Sequence, residues 1–301
     1  MEEYTLRTYD LEKRFKNQTV LSGLNLKVPK GAVYGLVGRN GAGKTTLFRL
    51  VCGLQTVTGG YFELFGIKNT CEEIAAARRR TGAVVELPAL YLNMTAEENL
   101  KIQYRILGLP KFDGGRELLE LVGLTDTGKK KAGTFSLGMK QRLGIAVALC
   151  GNPDFLILDE PLNGLDPQGI IEFRELILRL NRKMGITVLI SSHILAELSR
   201  ISTHYGFIDG GKIVREMSAE ELERICRKCV RLTVSDVKVL TRVLDSMGVE
   251  YKIISDHEAE VYAELNFTQL ALTLADEGCE VLKAEEQGES LESFYLSLVG
   301  A

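Results

Sequence analysis

The chain has 301 residues, of which 45% are hydrophobic and 26% charged, with 30 glycines and 6 prolines. This composition is that of a folded globular protein, and it excludes a collagen, a mucin-like stalk and a disordered tail. The formal net charge of −3 excludes a broad basic surface, so no nucleic-acid partner is expected. The length is typical of two domains, each large enough to bury a core.

The sequence predicts neither a membrane span nor a signal peptide. The longest apolar runs, such as Gly144–Cys150, are too short to cross a bilayer, and the first ten residues lack a basic start and an apolar core. The six cysteines are scattered through apolar patterns, which favours reduced thiols in the cytoplasm. The spacing of Cys226 and Cys229 allows metal or redox chemistry, but a lone pair with no nearby histidine favours an incidental match.

Short apolar strands alternate with helices through the first part of the chain. Continuous apolar runs predict buried parallel strands, and residues such as Thr95 and Asp166 predict the caps at which helices begin. This alternation predicts an α/β domain with covered sheet faces. In chain order the elements are strand Val33–Val37, helix Lys44–Val51, a helix from Thr95 to about Leu107, strand Phe155–Asp159, helix Pro167–Asn181, strand Ile186–Ser191 and a hairpin of Tyr205–Ile208 with Lys212–Glu216.

The charge of the chain changes near Ser218–Glu221, where a serine and a glutamate also fit a helix capping box. Residues 222–301 carry 8 basic and 15 acidic side chains, a net charge of −7. We therefore predict two domains, 1–218 and 219–301. The second reads as strand Val230–Val234, helix Val237–Met247, strands within Val249–Ser255 and Glu258–Glu264, helix Phe267–Glu277, strand Glu280–Ala284 and helix Leu291–Leu298, the order of a small α+β, ferredoxin-like unit.

A glycine-rich segment between the first predicted strand and helix matches the phosphate-binding pattern G-x-x-x-x-G-K-[ST]. Glycines let the backbone turn so that successive N–H groups face phosphates at a helix N-terminus. In this pattern the lysine reaches the outer phosphates and the threonine hydroxyl binds Mg²⁺. The predicted nucleotide-binding residues are Gly38, Arg39, Asn40, Gly41, Ala42, Gly43, Lys44 and Thr45, followed by Thr46.

Two adjacent carboxylates close the buried run that begins at Phe155. Asp159 is suited to hold Mg²⁺, and Glu160 is suited to polarise a water molecule for attack on the γ-phosphate. Such a pair also ends many surface strands. Downstream of a phosphate-binding loop it predicts hydrolysis of a nucleoside triphosphate.

Three further segments resemble the motifs of ATP-binding cassette proteins. Phe135–Arg142 (FSLGMKQR) is similar to the signature loop of that family, Pro161–Pro167 (PLNGLDP) to its D-loop, and Ser191–His193 to its switch histidine. The resemblance covers most of residues 1–216 and implies a P-loop NTPase fold. That fold has a RecA-like core with an antiparallel β subdomain and a helical signature subdomain. It also implies ATP and Mg²⁺ as cofactors and a head-to-tail dimer of cassettes.

The resemblance assigns roles to residues outside the phosphate-binding loop. Ser136 and Gly138 would face the ATP bound by the partner cassette, and Asp166 belongs to the D-loop. His193 would contact the γ-phosphate. Phe15 matches the aromatic position that stacks on adenine, with Val20 on the same face, although Phe15 also reads as a plain core residue.

One departure from the family pattern concerns Glu86, which stands where many cassettes have glutamine. A carboxylate is a better ligand for Mg²⁺ than an amide, so we predict Glu86 as a third metal-binding residue beside Thr45 and Asp159. A solvated strand-end carboxylate is the alternative. This glutamate and the closing segment Leu291–Gly300 resemble the bacitracin-resistance and lantibiotic-immunity branch of the family.

The resulting hypothesis is an ATPase subunit that energises a separate membrane permease exporting a peptide, drug or lipid-like compound. The chain would lie in the cytoplasm, on the inner face of the membrane, with residues from Glu86 to about Tyr104 contacting the permease. Its second cassette would be another copy or a sister subunit. Two alternatives stay open: a soluble cassette ATPase acting on ribosomes or nucleic acid, and a regulatory module that binds ATP without turnover.

Overall fold

The computed structural model describes residues 3–16, 18–109, 112–193, 195–226, 229–263, 266–287 and 291–298. The chain forms two compact units, Met1–Ala219 and Glu220–Ala301, a division one residue beyond the predicted boundary. The two residues between Cys226 and Cys229, the end of the strand predicted to reach Glu264 and the end of the closing segment at Gly300 lie outside the described residues. None of the helices in the described part combines the length and hydropathy that a membrane span requires.

The first unit contains two β-sheets and a group of helices. Its strands are β1 (Tyr4–Phe15), β2 (Gln18–Leu24), β3 (Lys27–Pro29), β4 (Val33–Val37), β5 (Gly59–Leu64), β6 (Ile67–Lys68), β7 (Thr81–Val84), β8 (Phe155–Leu158), β9 (Thr187–Ser192), β10 (His204–Asp209) and β11 (Lys212–Ser218). Its helices are α1 (Lys44–Val51), α2 (Ile74–Arg79), α3 (Ala96–Ile106), α4 (Gly115–Leu121), α5 (Leu137–Leu149), α6 (Pro167–Met184) and α7 (Leu195–Leu198). Short 3₁₀ turns lie at Thr125–Thr127 and Ala132–Thr134.

The central sheet has the strand order β11-β10-β4-β9-β8-β7. The strands β10, β4, β9, β8 and β7 are parallel, and β11 pairs with β10 in the opposite direction. Every residue of β4, β8 and β9 is buried, as their continuous apolar sequences predict. Because the carboxyl ends of parallel strands meet at one edge, the segments after β4, β7, β8 and β9 lie side by side.

A second, antiparallel sheet has the order β2-β1-β5-β6, with β3 also paired to β1. Its inner face packs with α1 in one core, which includes Leu6, Leu21, Phe48 and Phe62. The pairing of β1 with β2 sets Phe15 opposite Gln18 at the hairpin end. This sheet therefore brings the hairpin beside the first turn of α1.

Side-chain caps fix where the helices of the first unit begin. Thr95 and Glu98 form a complete capping box at α3, and the Asp166 carboxylate accepts a hydrogen bond from the Gly169 N–H at the start of α6. The helix predicted to end at Asn181 continues to Met184, because the chain ends it with a left-handed glycine only at the next residue. The predicted strand Phe155–Asp159 ends one residue early, so Asp159 lies at the edge of the sheet.

The second unit is an antiparallel sheet with helices. It consists of α8 (Ala219–Cys226), β12 (Cys229–Val234), α9 (Val237–Met247), β13 (Tyr251–Ile253), β14 (Glu258–Val261), α10 (Phe267–Asp276), β15 (Val281–Gln287) and α11 (Leu291–Leu298). The strand order is β13-β14-β12-β15, and all three pairings are antiparallel. These are the order and directions of a split βαβ unit. Buried residues of β12 and β14 pack with Leu240, Leu244, Leu270 and Leu274 of α9 and α10.

One carboxyl group of the first unit, on an otherwise exposed glutamate, is hydrogen-bonded to the buried side chain of Tyr34. The Tyr34 hydroxyl donates to Glu216 Oε1 at 2.6 Å, and the Lys27 N–H donates to the same oxygen at 2.9 Å. Burial raises the pKa of Glu216, although both hydrogen bonds act to lower it. The charged form of Glu216 is therefore less favourable in the folded state than in the unfolded chain.

We expect Glu216→Gln to gain stability relative to the wild type as the pH rises. An acid whose pKa is raised in the folded state contributes most to the free energy of unfolding at low pH. That contribution is lost as the pH rises through the folded-state pKa. The amide oxygen of glutamine can accept both hydrogen bonds without becoming charged. Urea unfolding at several values between about pH 4 and pH 7 measures the difference. A difference in unfolding free energy that stays constant over this range would contradict the assignment.

Candidate nucleotide-binding and hydrolysis site

The phosphate-binding loop joins the end of β4 to α1 through backbone conformations that favour glycine. Gly41 and Gly43 have φ values of 84° and 111°. A Cβ at Gly43 would also lie 2.6 Å from Leu21 Cδ2 and 3.3 Å from the Val20 carbonyl oxygen. The loop is thus held against the β2 hairpin, and its backbone leads directly into the N-terminus of α1, where N–H groups favour an anion.

Lys44 is a buried cation at the first position of α1, with 5% of its surface exposed. Its Nζ donates to the carbonyl oxygens of Gly38 at 2.5 Å and Arg39 at 3.2 Å. The same ammonium lies 3.1 Å from Glu160 Oε1. The loop carbonyls and the carboxylate therefore hold the lysine where the pattern predicts a phosphate-binding charge.

Thr45 and Asp159 meet across the loop and the end of β8. The Thr45 hydroxyl donates to Asp159 Oδ2 at 2.7 Å, and the Ser191 hydroxyl donates to Asp159 Oδ1 at the same distance. Asp159 is 2% exposed, so its charge is balanced by these donors rather than by water. Mg²⁺ is commonly bound by one or two carboxylates with phosphate oxygens, and this hydroxyl and carboxylate fit such a set.

Glu160 follows Asp159 in a left-handed backbone conformation, with φ of 47°. Its N–H donates to the Ser191 hydroxyl at 2.8 Å, which fixes the turn after β8. Its second carboxylate oxygen lies 2.9 Å from His193 Nδ1, and its side chain is 18% exposed. A non-glycine residue in this conformation is strained, and such strain is concentrated at functional sites.

Ser191 belongs to the candidate site, although the sequence motif that contains it predicted no role for it. It is fully buried at the end of β9 and bridges both acidic residues, donating to Asp159 and accepting from the Glu160 N–H. The available signal for its role was a hydroxyl residue near the end of an apolar strand, the strand that proves to be parallel to β8. Without the strand order, nothing in the sequence shows that β8 and β9 are neighbours.

Glu86 lies in the turn after β7, with φ of 62°. Its Oε1 pairs with Arg49 Nη2 at 2.7 Å, and its side chain is 57% exposed. The described contacts link Glu86 to the last turn of α1 rather than to Thr45 or Asp159. Its predicted role as a metal ligand stays a prediction.

The residues predicted to bind adenine lie in the β1–β2 hairpin. Val20 lines a cleft over the phosphate-binding loop together with Gln18 and Asn40, and the cleft also includes Gly41, Gly43, Lys44, Thr45, Thr46 and Glu160. Phe15 is 40% exposed, and the Lys13 ammonium lies 4.8 Å from the centre of its ring. The lining described for the cleft does not include Phe15.

The signature and D-loop residues lie at helix N-termini. Ser136 caps α5, and its hydroxyl accepts a hydrogen bond from the Met139 N–H at 3.2 Å. Gly138 is in the first turn of the same helix, and Asp166 caps α6. None of the described hydrogen bonds or ion pairs joins these three residues to the cluster around Lys44.

Comparisons with known proteins agree with this geometry. The family model described as "ABC transporter" matches residues 21–163. The bacitracin transport ATP-binding protein BcrA of Bacillus licheniformis is 42% identical, over 98% of this chain and 97% of that protein. The lantibiotic transport ATP-binding protein SrtF of Streptococcus pyogenes is 41% identical, over 73% and 93%. A solved ATP-binding subunit of an ABC transporter is 30% identical, with a TM-score of 0.65, over 73% of this chain and 92% of that chain.

The chain therefore belongs to the ATP-binding proteins of ABC transporters. It is an ABC ATPase, and such domains bind ATP and use Mg²⁺. The predicted mixed α/β P-loop fold of the first unit is confirmed. The function of an ATP-hydrolysing transporter subunit is favoured over the soluble and regulatory alternatives.

We expect Glu86→Gln to leave ATP binding unchanged and to raise the Mg²⁺ concentration that gives half-maximal hydrolysis by about tenfold, as loss of a charged group at a metal site does. Global stability should change little, because the pair with Arg49 is exposed. Steady-state hydrolysis across a Mg²⁺ titration measures the effect. Glu97→Gln, which removes a similarly exposed pair with Lys101, is the matched control. Identical titration curves for Glu86→Gln and the wild type would contradict a metal role.

Proposed function

We propose that this chain powers an exporter of antimicrobial peptides by hydrolysing ATP beside a separate membrane permease. The similarity to BcrA extends over 98% of the chain, and SrtF, a lantibiotic transport protein, is 41% identical. Both relatives act in transport of peptide antibiotics by name, which supports that substrate class over other drugs or lipid-like compounds. The Glu160 carboxylate, set between Lys44 and His193, is the observation that supports turnover.

The cluster around Glu160 supports direct attack of water on the γ-phosphate. One Glu160 oxygen takes a proton as the water oxygen bonds to phosphorus, and the bond from phosphorus to the β–γ bridging oxygen breaks to release ADP. His193, 2.9 Å from the other oxygen, orients the carboxylate. It would also contact the γ-phosphate. Lys44 offsets the negative charge of the outer phosphates.

The metal and the base are held by different residues of the same site. Thr45 and Asp159 would hold Mg²⁺, with Glu86 as a further ligand from the neighbouring turn. When bound, Mg²⁺ neutralises charge on the β- and γ-phosphate oxygens. Val20 lines the cleft beside the loop. Phe15, in the same hairpin, would supply the aromatic ring for adenine.

Two cassettes are proposed to close over ATP in a head-to-tail dimer. Ser136 and Gly138 at the N-terminus of α5 would face the γ-phosphate bound by the partner, where the helix dipole favours negative charge. Asp166, which caps α6, would lie in the D-loop at the same interface. The partner is a second copy or a sister subunit.

The permease is proposed to dock on the segment from Glu86 to about Tyr104. Leu87, Tyr91 and Leu92 lie within six residues of one another and are all about half exposed or more, and a cluster of exposed apolar side chains is typical of an interaction surface. Docking there would hold the chain at the cytoplasmic face of the membrane. The unit beyond residue 219, with its net charge of −7 over residues 222–301, is proposed as an accessory domain.

We expect Glu160→Gln to lower the steady-state rate of ATP hydrolysis by about a hundredfold or more, since a general base is lost. The affinity for a fluorescent ATP analogue should be retained, because the amide leaves the phosphate-binding loop intact. Glu63→Gln, which alters another partly buried carboxylate bonded to Tyr9, is the control. A rate in Glu160→Gln close to that of the wild type would instead favour the regulatory alternative.

Purification of the tagged chain from its native membranes in detergent tests the transport assignment. We expect a polytopic membrane protein to co-purify in stoichiometric amount. Recovery of an active ATPase without such a partner, together with bound RNA or DNA, would favour the soluble cassette alternative. The two experiments separate the chemistry from the physiological role.

A further inference from the structure

Helix α5 has a glycine at its centre, although alanine is normally the better helix former. Gly144 is buried, and a Cβ at this position would lie 2.6 Å from Pro88 Cβ and 2.9 Å from Pro88 Cγ. Both distances are shorter than real carbon contacts. The two atoms belong to a rigid ring, so they cannot rotate away as a flexible side chain would. The close approach of Pro88 therefore explains the glycine.

A second close contact lies one helical turn further along α5. A Cβ at Gly82 of β7 would lie 2.4 Å from the Ala148 carbonyl oxygen. Residues four apart share one face of a helix, so Gly144 and Ala148 present the same side to their neighbours. Helix α5 thus lies directly against β7 and against the loop that follows it.

The loop that carries Pro88 is anchored on both sides. The Val84 carbonyl accepts a hydrogen bond from the Asp159 N–H at 2.9 Å. The Asn99 side chain accepts from the Tyr91 N–H at 2.8 Å and donates to the Tyr91 carbonyl at 3.2 Å. Pro88 lies midway between these anchors, two residues after Glu86. The loop between the anchors is short, so a displacement of Pro88 also displaces Glu86.

The contact between Gly144 and Pro88 is also connected to the signature residues, because they lie at the start of the same helix. Ser136 caps α5 two turns before Gly144, and a hydrogen-bonded helix moves over such a distance as a rigid rod. Leu87, Pro88 and Gly144 also line a common cavity in the first unit. Anything that docks in this cavity touches the loop and the helix together.

We propose that Gly144 and Pro88 are a positioning pair that sets the distance between helix α5 and the Glu86 turn. Neither residue is among those described as lining the cleft over the phosphate-binding loop, so both act through other groups. The pair aligns Glu86 with the site of its own chain and aligns Ser136 and Gly138 for the partner. This inference rests on the proposed function, because it assumes that those residues act in ATP hydrolysis.

The test is Gly144→Ala in the full chain, followed by steady-state ATPase kinetics. We expect kcat to fall by about tenfold or more, as a small misplacement of catalytic groups produces. The KM for ATP and the affinity for a fluorescent ATP analogue should stay within about twofold, because the phosphate-binding loop is untouched. Adding Pro88→Gly removes the opposing ring atoms, and the double variant should recover most of the lost kcat.

Gly151→Ala is the matched control, because Gly151 lines the same cavity. Its added Cβ would lie 3.4 Å from Leu107 Cδ1, an ordinary contact, so wild-type kcat is expected. If Gly144→Ala fails to fold, recovery of both folding and turnover in the double variant supports the pair. Wild-type kcat in Gly144→Ala, or no recovery in the double variant, overturns it. A wild-type chain without ATPase activity would overturn the proposed function, which separates the two failures.

Discussion

The site depends on one buried cation, Lys44, and on the carboxylate that balances it. A buried charge without a partner is costly, and removing one member of a buried pair leaves the other uncompensated. Lys44 is held by two loop carbonyls and by Glu160, while Asp159 is held by two hydroxyl groups. The loop conformation, the turn after β8 and the end of β9 are each required to satisfy these charges. These charged groups can therefore be buried only if the site has this geometry.

The order of the parallel strands makes this cluster possible. β4 leads to the phosphate-binding loop, β8 to Asp159 and Glu160, and β9 to Ser191 and His193. In the sheet β9 lies between β4 and β8. Groups that are more than a hundred residues apart in sequence therefore meet at one edge, as ligands do in open α/β sheets. The Thr45–Asp159 hydrogen bond, across a separation of 114 residues, is the direct result.

Local signals in the sequence predicted much of this arrangement. The predicted bounds of the helices Lys44–Val51 and Val237–Met247 agree with the structure. Glycines or a capping residue mark the ends of these helices, and apolar residues recur along them with helical spacing. Local signals do not predict which residues distant in sequence form ion pairs or hydrogen bonds with one another. The pair of Glu86 with Arg49 and the bridge made by Ser191 both depend on which strands and helices become neighbours. The family resemblance implied an antiparallel β subdomain, but its individual strands were not predicted, since their alternation is interrupted by bulges.

Helix α1 carries a cation near each end, and the two cations form ion pairs that differ in their exposure to water. Glu86 and Glu160 lie two residues beyond β7 and β8, strands paired at their last residues, and both are left-handed. Arg49 pairs with Glu86, and Lys44 pairs with Glu160. The inner pair is largely shielded from water, whereas the Glu86 side chain is 57% exposed. Exchanging Arg49 for another cation at Glu86 therefore costs little free energy, but separating Lys44 from Glu160 requires a replacement charge within the site.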